Sequence, residues 1–479
     1  MITAENISDK MKYTVYFLLA VVLYFVFFHR LGTYPIRTWD ESVYAVYSYE
    51  MMESGNYIVP HLNGQIDYLN DKPPLFFWCQ VASIKLFGYN EFSVRFPSAV
   101  FGALTVWMLF TFISRRFSFY FGLSSALVLT CAAGFVTFHS ARTGDMDTML
   151  AFGLTGSTLS FVSYLNGREK KYLFWYFVFV MFSFLTKSVA GLFLIPAHLL
   201  ALFLIKREVL KDLKLWITLF AAVAGIGLYV VIRGKYEPGY FTHITSYLGK
   251  FKGTFNASHN KPWDFYMNNL FNERFPTFIL AVIPSAILTY FERSPEIRQF
   301  VMVVLISACV FFAIICVSPT KCYWYDVPLF PLLAVPVGYF IWKMISVINV
   351  QLEGRIGVCA LLAALFFPAI YYAINRSYNN QIPQNERKLE VLHDFFMNKG
   401  SEFKGSKLKV ITDNYISPML FYKYKLKKDN TELIICNTNE LQTGDIAVTG
   451  NDSLKMIIEK DHLTEKMDIY KQATVYKIK

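Results

Sequence analysis

Apolar runs of 15 to 20 residues recur through the first 375 positions of this 479-residue chain. That is the length an α-helix needs to cross the hydrocarbon core of a bilayer, where every backbone N–H and C=O must be satisfied inside the helix. The pattern predicts spans at 13–29, 96–114, 119–138, 147–165, 172–186, 188–205, 214–232, 275–291, 299–317, 325–345 and 355–374. Up to two more fit in weakly polar stretches such as 75–88, giving about 11–13 membrane helices in an all-α polytopic protein. Composition agrees: 54% of the residues are hydrophobic and 17% charged, where a soluble domain carries about 25% charged. The first run lacks a small-residue cleavage site and reads as a retained span.

Charge sets the orientation. The loops that would face the cytoplasm contain Lys10 and Lys12, Arg115 and Arg116, Arg168 with Lys170 and Lys171, Lys206 with Arg207 and Lys211, Arg293 with Arg298, and Lys343 with Arg355. Short cytoplasmic loops collect Lys and Arg, so the start is inside and eleven spans leave the C-terminal segment outside. These loops and the anionic headgroups they meet account for the net charge of +11 without nucleic acid. The outer segment 233–274 runs against the trend with six Lys/Arg, a charge suited to an anionic ligand. Seven cysteines, without a CxxC pair, indicate neither a disulfide framework nor a zinc ribbon.

The composition changes near residue 376. Ile382-Pro383 marks a boundary, a helical pattern follows at 384–399, and short β-type runs lie at 408–412, 433–436 and 446–449. The expected organisation is a membrane domain over 1–375 and a small extracytoplasmic α/β domain over 376–479, which carries no catalytic motif.

The predicted outer loops gather Asp40-Glu41, Asp71-Lys72-Pro73-Pro74, Arg142 with Asp145 and Asp147, Lys187, His243, Lys250, His259, and Lys321 with Asp326. Ionisable groups beside a bilayer are costly and mark function. Carboxylates among lysines suit group transfer from a lipid-linked phosphate. Asp40 can act as general base on an acceptor hydroxyl, while Lys72, Lys187, Lys321 and Lys250 can balance the charge of a departing phosphate. Plainer readings compete: Asp40-Glu41 as a solvated turn, Lys187 as a snorkelling lysine, Asp145 and Asp147 as a helix cap, and His198 as a packing residue.

Asp40-Glu41 after the first span, then Asp71-Lys72-Pro73-Pro74-Leu75-Phe76-Phe77-Trp78, resembles the ArnT and protein O-mannosyltransferase group of GT-C-fold glycosyltransferases. The likeness runs on through Arg95-Phe96-Pro97-Ser98, Asp147-Thr148-Met149, Thr186-Lys187, Phe275-Pro276 and Pro319-Thr320-Lys321 to Pro328, covering about residues 1–375. It implies a polyprenyl-phosphate-linked sugar donor, a lipid A, glycan or protein acceptor, and a place in the bacterial cytoplasmic membrane with the site on its outer side. Under it, Asp40 and Glu41 form the acceptor-activating pair and Asp147 is a further site carboxylate. Lys72 and Lys187 become phosphate contacts, with Lys250 a looser candidate; Lys321 and Arg142, from the outer-loop reading, complete the substrate-binding candidates. The resemblance also leaves zinc open, held by Asp71 (where the related proteins have Glu) with His243 or His259.

A transporter or lipid flippase is the competing class. Such proteins carry inverted repeats and mid-membrane polar residues in broken helices, and neither is visible here. A reporter fused at Lys479 is expected to score outside and one near Lys170 inside. A cytoplasmic C terminus would put the acidic clusters on the wrong face for a single outer site.

Overall fold

The computed structural model describes residues 8–68, 70–137, 139–242, 261–318, 320–352, 365–375, 390–413 and 415–479. Two compact units are distinguished. One comprises Met1–His29, Tyr68–Phe76 and Pro97–Asn380; the other comprises Arg30–Asp67, Phe77–Phe96 and Gln381–Lys479.

In chain order the helices are α1 (Asp9–Leu23), α2 (Asp40–Ser54), α3 (Leu75–Phe87), α4 (Glu91–Arg116), α5 (Phe119–Cys131), α6 (Ala133–Val136), α7 (Asp147–Gly167), α8 (Lys170–Lys187), α9 (Ile195–Ile205) and α10 (Leu213–Tyr236). They continue with α11 (Phe265–Asn269), α12 (Val282–Tyr290), α13 (Pro295–Val317), α14 (Leu329–Leu352) and α15 (Leu365–Asn375). Among the described residues seven helices are long and apolar enough to cross a membrane, and five shorter apolar helices accompany them. Every predicted span overlaps one of these, the last only in its described part, since residues 355–364 lie outside the described residues. The remaining one is Leu75–Phe87, the weakly polar stretch suspected from the sequence. The chain is thus a multi-span membrane protein.

In the first unit, polar caps start the apolar helices. Ser118 caps α5 and Asp212 caps α10 by accepting from Phe121 N–H and Lys214 N–H, and Ser294 caps α13 ahead of Pro295. Two predicted spans are shorter than expected for local reasons. Ala132 turns extended and stops α5 at Cys131, and a tight turn at Ser188–Leu192 delays α9 to Ile195.

The α7–α8 hairpin positions chemistry. Gly153 and Gly156 of α7 face Ser183 and Phe179 of α8 so closely that an added Cβ would lie 2.3 Å from the Ser183 hydroxyl and 2.4 Å from the Phe179 ring. Small residues at such spacing let membrane helices meet backbone to backbone. The antiparallel pair then brings the first residue of α7, Asp147, against the last residue of α8, Lys187.

The second unit contains α2, the hairpin of β1 (His61–Leu62) and β2 (Gln65–Ile66), most of α3, the start of α4, and the C-terminal sheet. That sheet follows helix α16 (Val391–Lys399). It consists of β3 (Lys407–Ile411), β4 (Glu432–Cys436), β5 (Ile446–Thr449), β6 (Thr464–Tyr470) and β7 (Ala473–Ile478), in the order β4-β3-β5-β7-β6. β3 pairs in parallel with β4 and β5, while β7 is antiparallel to β5 and β6. Helices α17 (Ile416–Leu426) and α18 (Asp452–Asp461) make the crossovers. One apolar core joins Leu408, Val410, Leu433, Val448 and Val475 of the sheet to Phe421 and Tyr422 of α17, and to Ile36, Ala45, Val46 and Val94.

The three predicted strands are present, and Val391–Lys399 is the described part of the predicted 384–399 helix. The β6–β7 hairpin and α2 were not expected. β6 reads Thr-Glu-Lys-Met-Asp-Ile-Tyr, an edge strand dense in charge. α2 is buried on several sides and carries no single apolar stripe: Glu41, Ser42, Ser48 and Glu50 are buried along with Ala45, Val46 and Met51. Asp40 and Glu41 are therefore the first turn of a helix, not a solvated loop.

Gly156→Leu is expected to force Phe179 aside and to cost about 1–3 kcal/mol, the usual penalty for overpacking. A thermal melt of the purified protein in detergent measures it.

Candidate active site

Three acids in the first unit each lie beside a basic partner. Asp147 accepts from Lys187 Nζ at 2.6 Å, with side-chain exposures of 3% and 11%. Asp145 meets His139 Nδ1 at 3.1 Å. Asp326 takes a forked pair of bonds from Arg274, with Nε at 2.8 Å and Nη2 at 2.7 Å. All three acids are buried. The groups are also joined laterally: His139 stacks on Trp324 with ring centroids 3.9 Å apart, and Lys187 Nζ lies 5.2 Å from the Tyr325 ring centre. The loop before α7, the end of α8 and the loop before α14 therefore form one polar cluster inside an apolar unit.

Burial pushes the Asp326 carboxyl up to about 6 against the pull of Arg274, and the charge of Asp147 adds to the rise. For Asp145 burial also acts upward, but His139, Thr143 and the Lys187 charge win and hold its carboxyl below the ordinary value. Adjacent acids are thereby driven apart in acidity, as at sites that handle protons and charged ligands.

The backbone is strained at the same places. His139 has φ +53° and Ser188, directly after Lys187, has φ +49°. In the second unit Trp39, directly before Asp40, has φ +70°. Residues with side chains avoid this region unless their surroundings over-determine it, and such strain collects at functional sites.

The other expected residues are placed as follows. Asp71 and Lys72 form an ion pair with each other. Their turn is held by Arg233 of α10, which donates to Asn70 O and Lys72 O at 2.7 Å and pairs with Glu237 at 2.8 Å. Lys321 is mostly buried and donates to Ser318 O at 2.8 Å, folding back on its own loop. Arg142, expected among the substrate-binding candidates, instead clamps the end of the first span, donating to Val26 O at 3.0 Å and His29 O at 2.9 Å from a buried position. Two of its N–H groups thus serve the fold. Lys250, His243 and His259 lie outside the described residues.

Asp71 was expected to ligate zinc with one of those histidines. Zinc centres take three or four protein ligands. The described residues supply only Asp71 of that set, in an ion pair with Lys72, and both histidines lie outside them.

In the second unit Asp40 is half-buried and opens α2, where a negative charge suits the helix dipole. Glu41 differs from the expectation of a catalytic partner. It is fully buried, its oxygens accept from Arg95 at 2.7 Å and 2.9 Å, and Arg37 N–H donates to it at 2.7 Å. Arg95 also donates to the carbonyls of Leu31, Tyr34 and Pro35. Glu41 is a positioning residue that fixes the entry into α2. The Lys187 and Asp147 alternatives resolve similarly: Lys187 does not snorkel to solvent, and Asp147 lies inside α7 rather than capping it. His198 packs between Thr158 and Tyr176, as read from the sequence.

Four members of these networks were not named from the sequence: His139 and Trp324 were passed over, and Arg274 and Arg233 entered only among the six basic residues of 233–274. Each is a polar or aromatic residue at the end of an apolar run, a position that fits a snorkelling or interfacial residue equally well.

Residues 71–231, a stretch holding Asp71, Lys72, Arg142, Asp147 and Lys187, match the dolichyl-phosphate-mannose-protein mannosyltransferase family. The undecaprenyl phosphate-alpha-4-amino-4-deoxy-L-arabinose arabinosyl transferase 1 of Proteus mirabilis is 24% identical over 386 residues, 75% of this chain and 66% of that protein. The chain spans from 39% to 66% of the length of the curated relatives it matches. The crystal structure of ArnT from Cupriavidus metallidurans in the apo state superposes with a TM-score of 0.73 over 98% of both chains at 14% identity. The same protein bound to undecaprenyl phosphate gives 0.72 over 97% of this chain and 98% of that one, at 15% identity.

The acidity of Asp326 has a testable sign. A carboxyl with a raised folded pKa binds its proton more tightly folded than unfolded, so its contribution to stability grows as pH falls through about 6. Between about pH 7 and about pH 5 the melting temperature of the wild type is expected to shift upward relative to Asp326→Asn. Parallel pH profiles of the two proteins would contradict it.

In sequence across residues 71–231, and in fold over nearly its whole length, the chain is similar to the ArnT and protein O-mannosyltransferase group of GT-C-fold glycosyltransferases.

Proposed function

We propose that this protein is an integral-membrane glycosyltransferase. It moves a sugar, and specifically an amino sugar, from a polyprenyl phosphate carrier to lipid A on the outer side of the cytoplasmic membrane. The observation that carries the reading is Lys187, a largely buried lysine paired with Asp147 at the end of a membrane helix. The aminoarabinose transferases among its relatives, and the ArnT structure bound to undecaprenyl phosphate, support the donor class. A glycan or protein acceptor is the alternative.

The chemistry follows from the groups. The acceptor oxygen attacks the anomeric carbon as the bond from that carbon to the carrier phosphate breaks. The phosphate leaves with the electron pair, the acceptor proton passes to Asp40, and the anomeric centre inverts. Lys187 and Lys72 counter the charge that grows on the phosphate. Both are already paired with carboxylates and can exchange one anion for another. A cation that bonds more strongly as the phosphate departs lowers the barrier, not only the KM.

Asp40→Asn is expected to reduce transfer by on the order of 10²–10⁴ with membrane levels unchanged, the usual contribution of a positioned base. Lys187→Ala is expected to weaken donor binding by about 1.5–3 kcal/mol, the typical worth of a charge-assisted hydrogen bond. Mass spectrometry of lipid A and envelope glycoproteins, with and without the protein, identifies the product. Unchanged lipid A alongside a modified glycoprotein would move the acceptor to protein.

A further inference from the structure

The segment leading into Asp40 forms neither helix nor strand between Leu31 and Thr38, yet Ile36 and Arg37 are buried to 0% and 1% exposure. Buried irregular backbone must find partners for its polar groups elsewhere. Arg95 and Glu41 serve Leu31, Tyr34, Pro35 and the Arg37 N–H, while the partners of Ile36 and of the Arg37 guanidinium come from the C-terminal domain. Ile36 N–H donates to the Tyr422 hydroxyl at 3.2 Å, and His393 Nδ1 bonds Ile36 O at 3.0 Å. The Arg37 guanidinium reaches both oxygens of Glu390 at 2.9 Å and 3.0 Å. Beyond Asp40, the hydroxyls of Ser42 and Ser417 lie 3.0 Å apart, and the Trp39 ring sits 4.0 Å from that of Tyr415.

These contacts bracket Trp39, the residue with φ +70° that aims Asp40. Strain of that kind persists only where neighbours on both sides hold it. The apolar core already joins Ile36, Ala45 and Val46 to the sheet, so the polar contacts are not needed merely to attach the domain. A buried Arg–Glu pair adds little stability over an apolar pair of similar size.

We infer that Glu390, His393 and Tyr422 are positioning residues for Asp40, and that the C-terminal domain acts in catalysis by fixing the strained turn before α2. This rests on the reading of Asp40 as the acceptor base. The domain is then neither a lid nor a passive appendage; it forms part of the mounting of the base. Displacing a catalytic group by about 1 Å can cost on the order of a hundredfold in rate.

The test uses the full-length protein in detergent, with undecaprenyl-phosphate-linked 4-amino-4-deoxy-L-arabinose as donor and lipid A as acceptor. Two variants loosen the turn. Glu390→Gln weakens the hold on Arg37, and Tyr422→Phe removes the acceptor of Ile36 N–H while keeping the ring. Each is expected to speed amide exchange across residues 36–43 but not in α7 or α8. Each should lower kcat by roughly tenfold to a hundredfold with the donor KM within about twofold. Glu390→Asp should fall between Glu390→Gln and the wild type. If Glu390→Gln does not accumulate, Tyr422→Phe, which leaves every charge in place, decides alone. Wild-type kcat in the variants, whether or not exchange changes, overturns the positioning role and leaves the proposed function standing. A wild type that transfers nothing from this donor to lipid A refutes the proposed function, and the inference falls with it.

Discussion

A carboxylate removed from water must be answered by a cation of the protein itself, or it takes up a proton. In this chain that constraint decides where the helices end. Asp147 can stand at the start of α7 because Lys187 closes α8 against it, and Asp326 can be buried because Arg274 forks onto both its oxygens. Glu41 can be buried at the start of α2 because Arg95 and the backbone of Arg37 converge on it. Each pair joins segments far apart in sequence, so helix packing and site geometry are settled together. Gly153 and Gly156 do for the backbone what the ion pairs do for the ends.

Pairing also prepares the cations for a ligand. A lone buried lysine tends to give up its proton, because desolvation favours the neutral amine. Lys187 has its acid partner, Asp147, while largely hidden from water, so its desolvation is met during folding rather than at each encounter with a ligand. The Tyr325 ring adds a face rich in electron density, attractive to a cation. An incoming phosphate then trades one anion for another. The same logic holds for Lys72 beside Asp71, in a turn that Arg233 keeps in place from α10.

Much of this was legible in the residues. The spans were, because a bilayer permits so few solutions that an apolar run of sufficient length is nearly a structural assignment. Asp40, Asp147, Lys72 and Lys187 were legible as charges out of place. Their partners were less so: Arg274 and His139 read as ordinary residues at helix ends, and only the fold shows which acid each one meets. Arg142 misled for the same reason. Its charge signalled a ligand, whereas two of its N–H groups serve carbonyls that the first span leaves open at its end. α2 was invisible because burial from several sides leaves no amphipathic period to read.

The strained residues carry the argument one step further. Trp39, His139 and Ser188 are not glycines, and a chain selected for stability alone would have glycine or asparagine in a left-handed conformation. Each adjoins or belongs to an ionisable pair or the proposed base. A side chain in an unfavourable backbone state can be kept only by contacts on both sides, so the direction of the neighbouring functional group is set by parts of the fold remote in sequence. For Ser188 those parts are the close-packed ends of α7 and α8. For Trp39 they are the polar contacts to Glu390, His393, Tyr422 and Ser417. The small C-terminal sheet shows no catalytic motif among its described residues, and under the proposed role it is the far side of that grip.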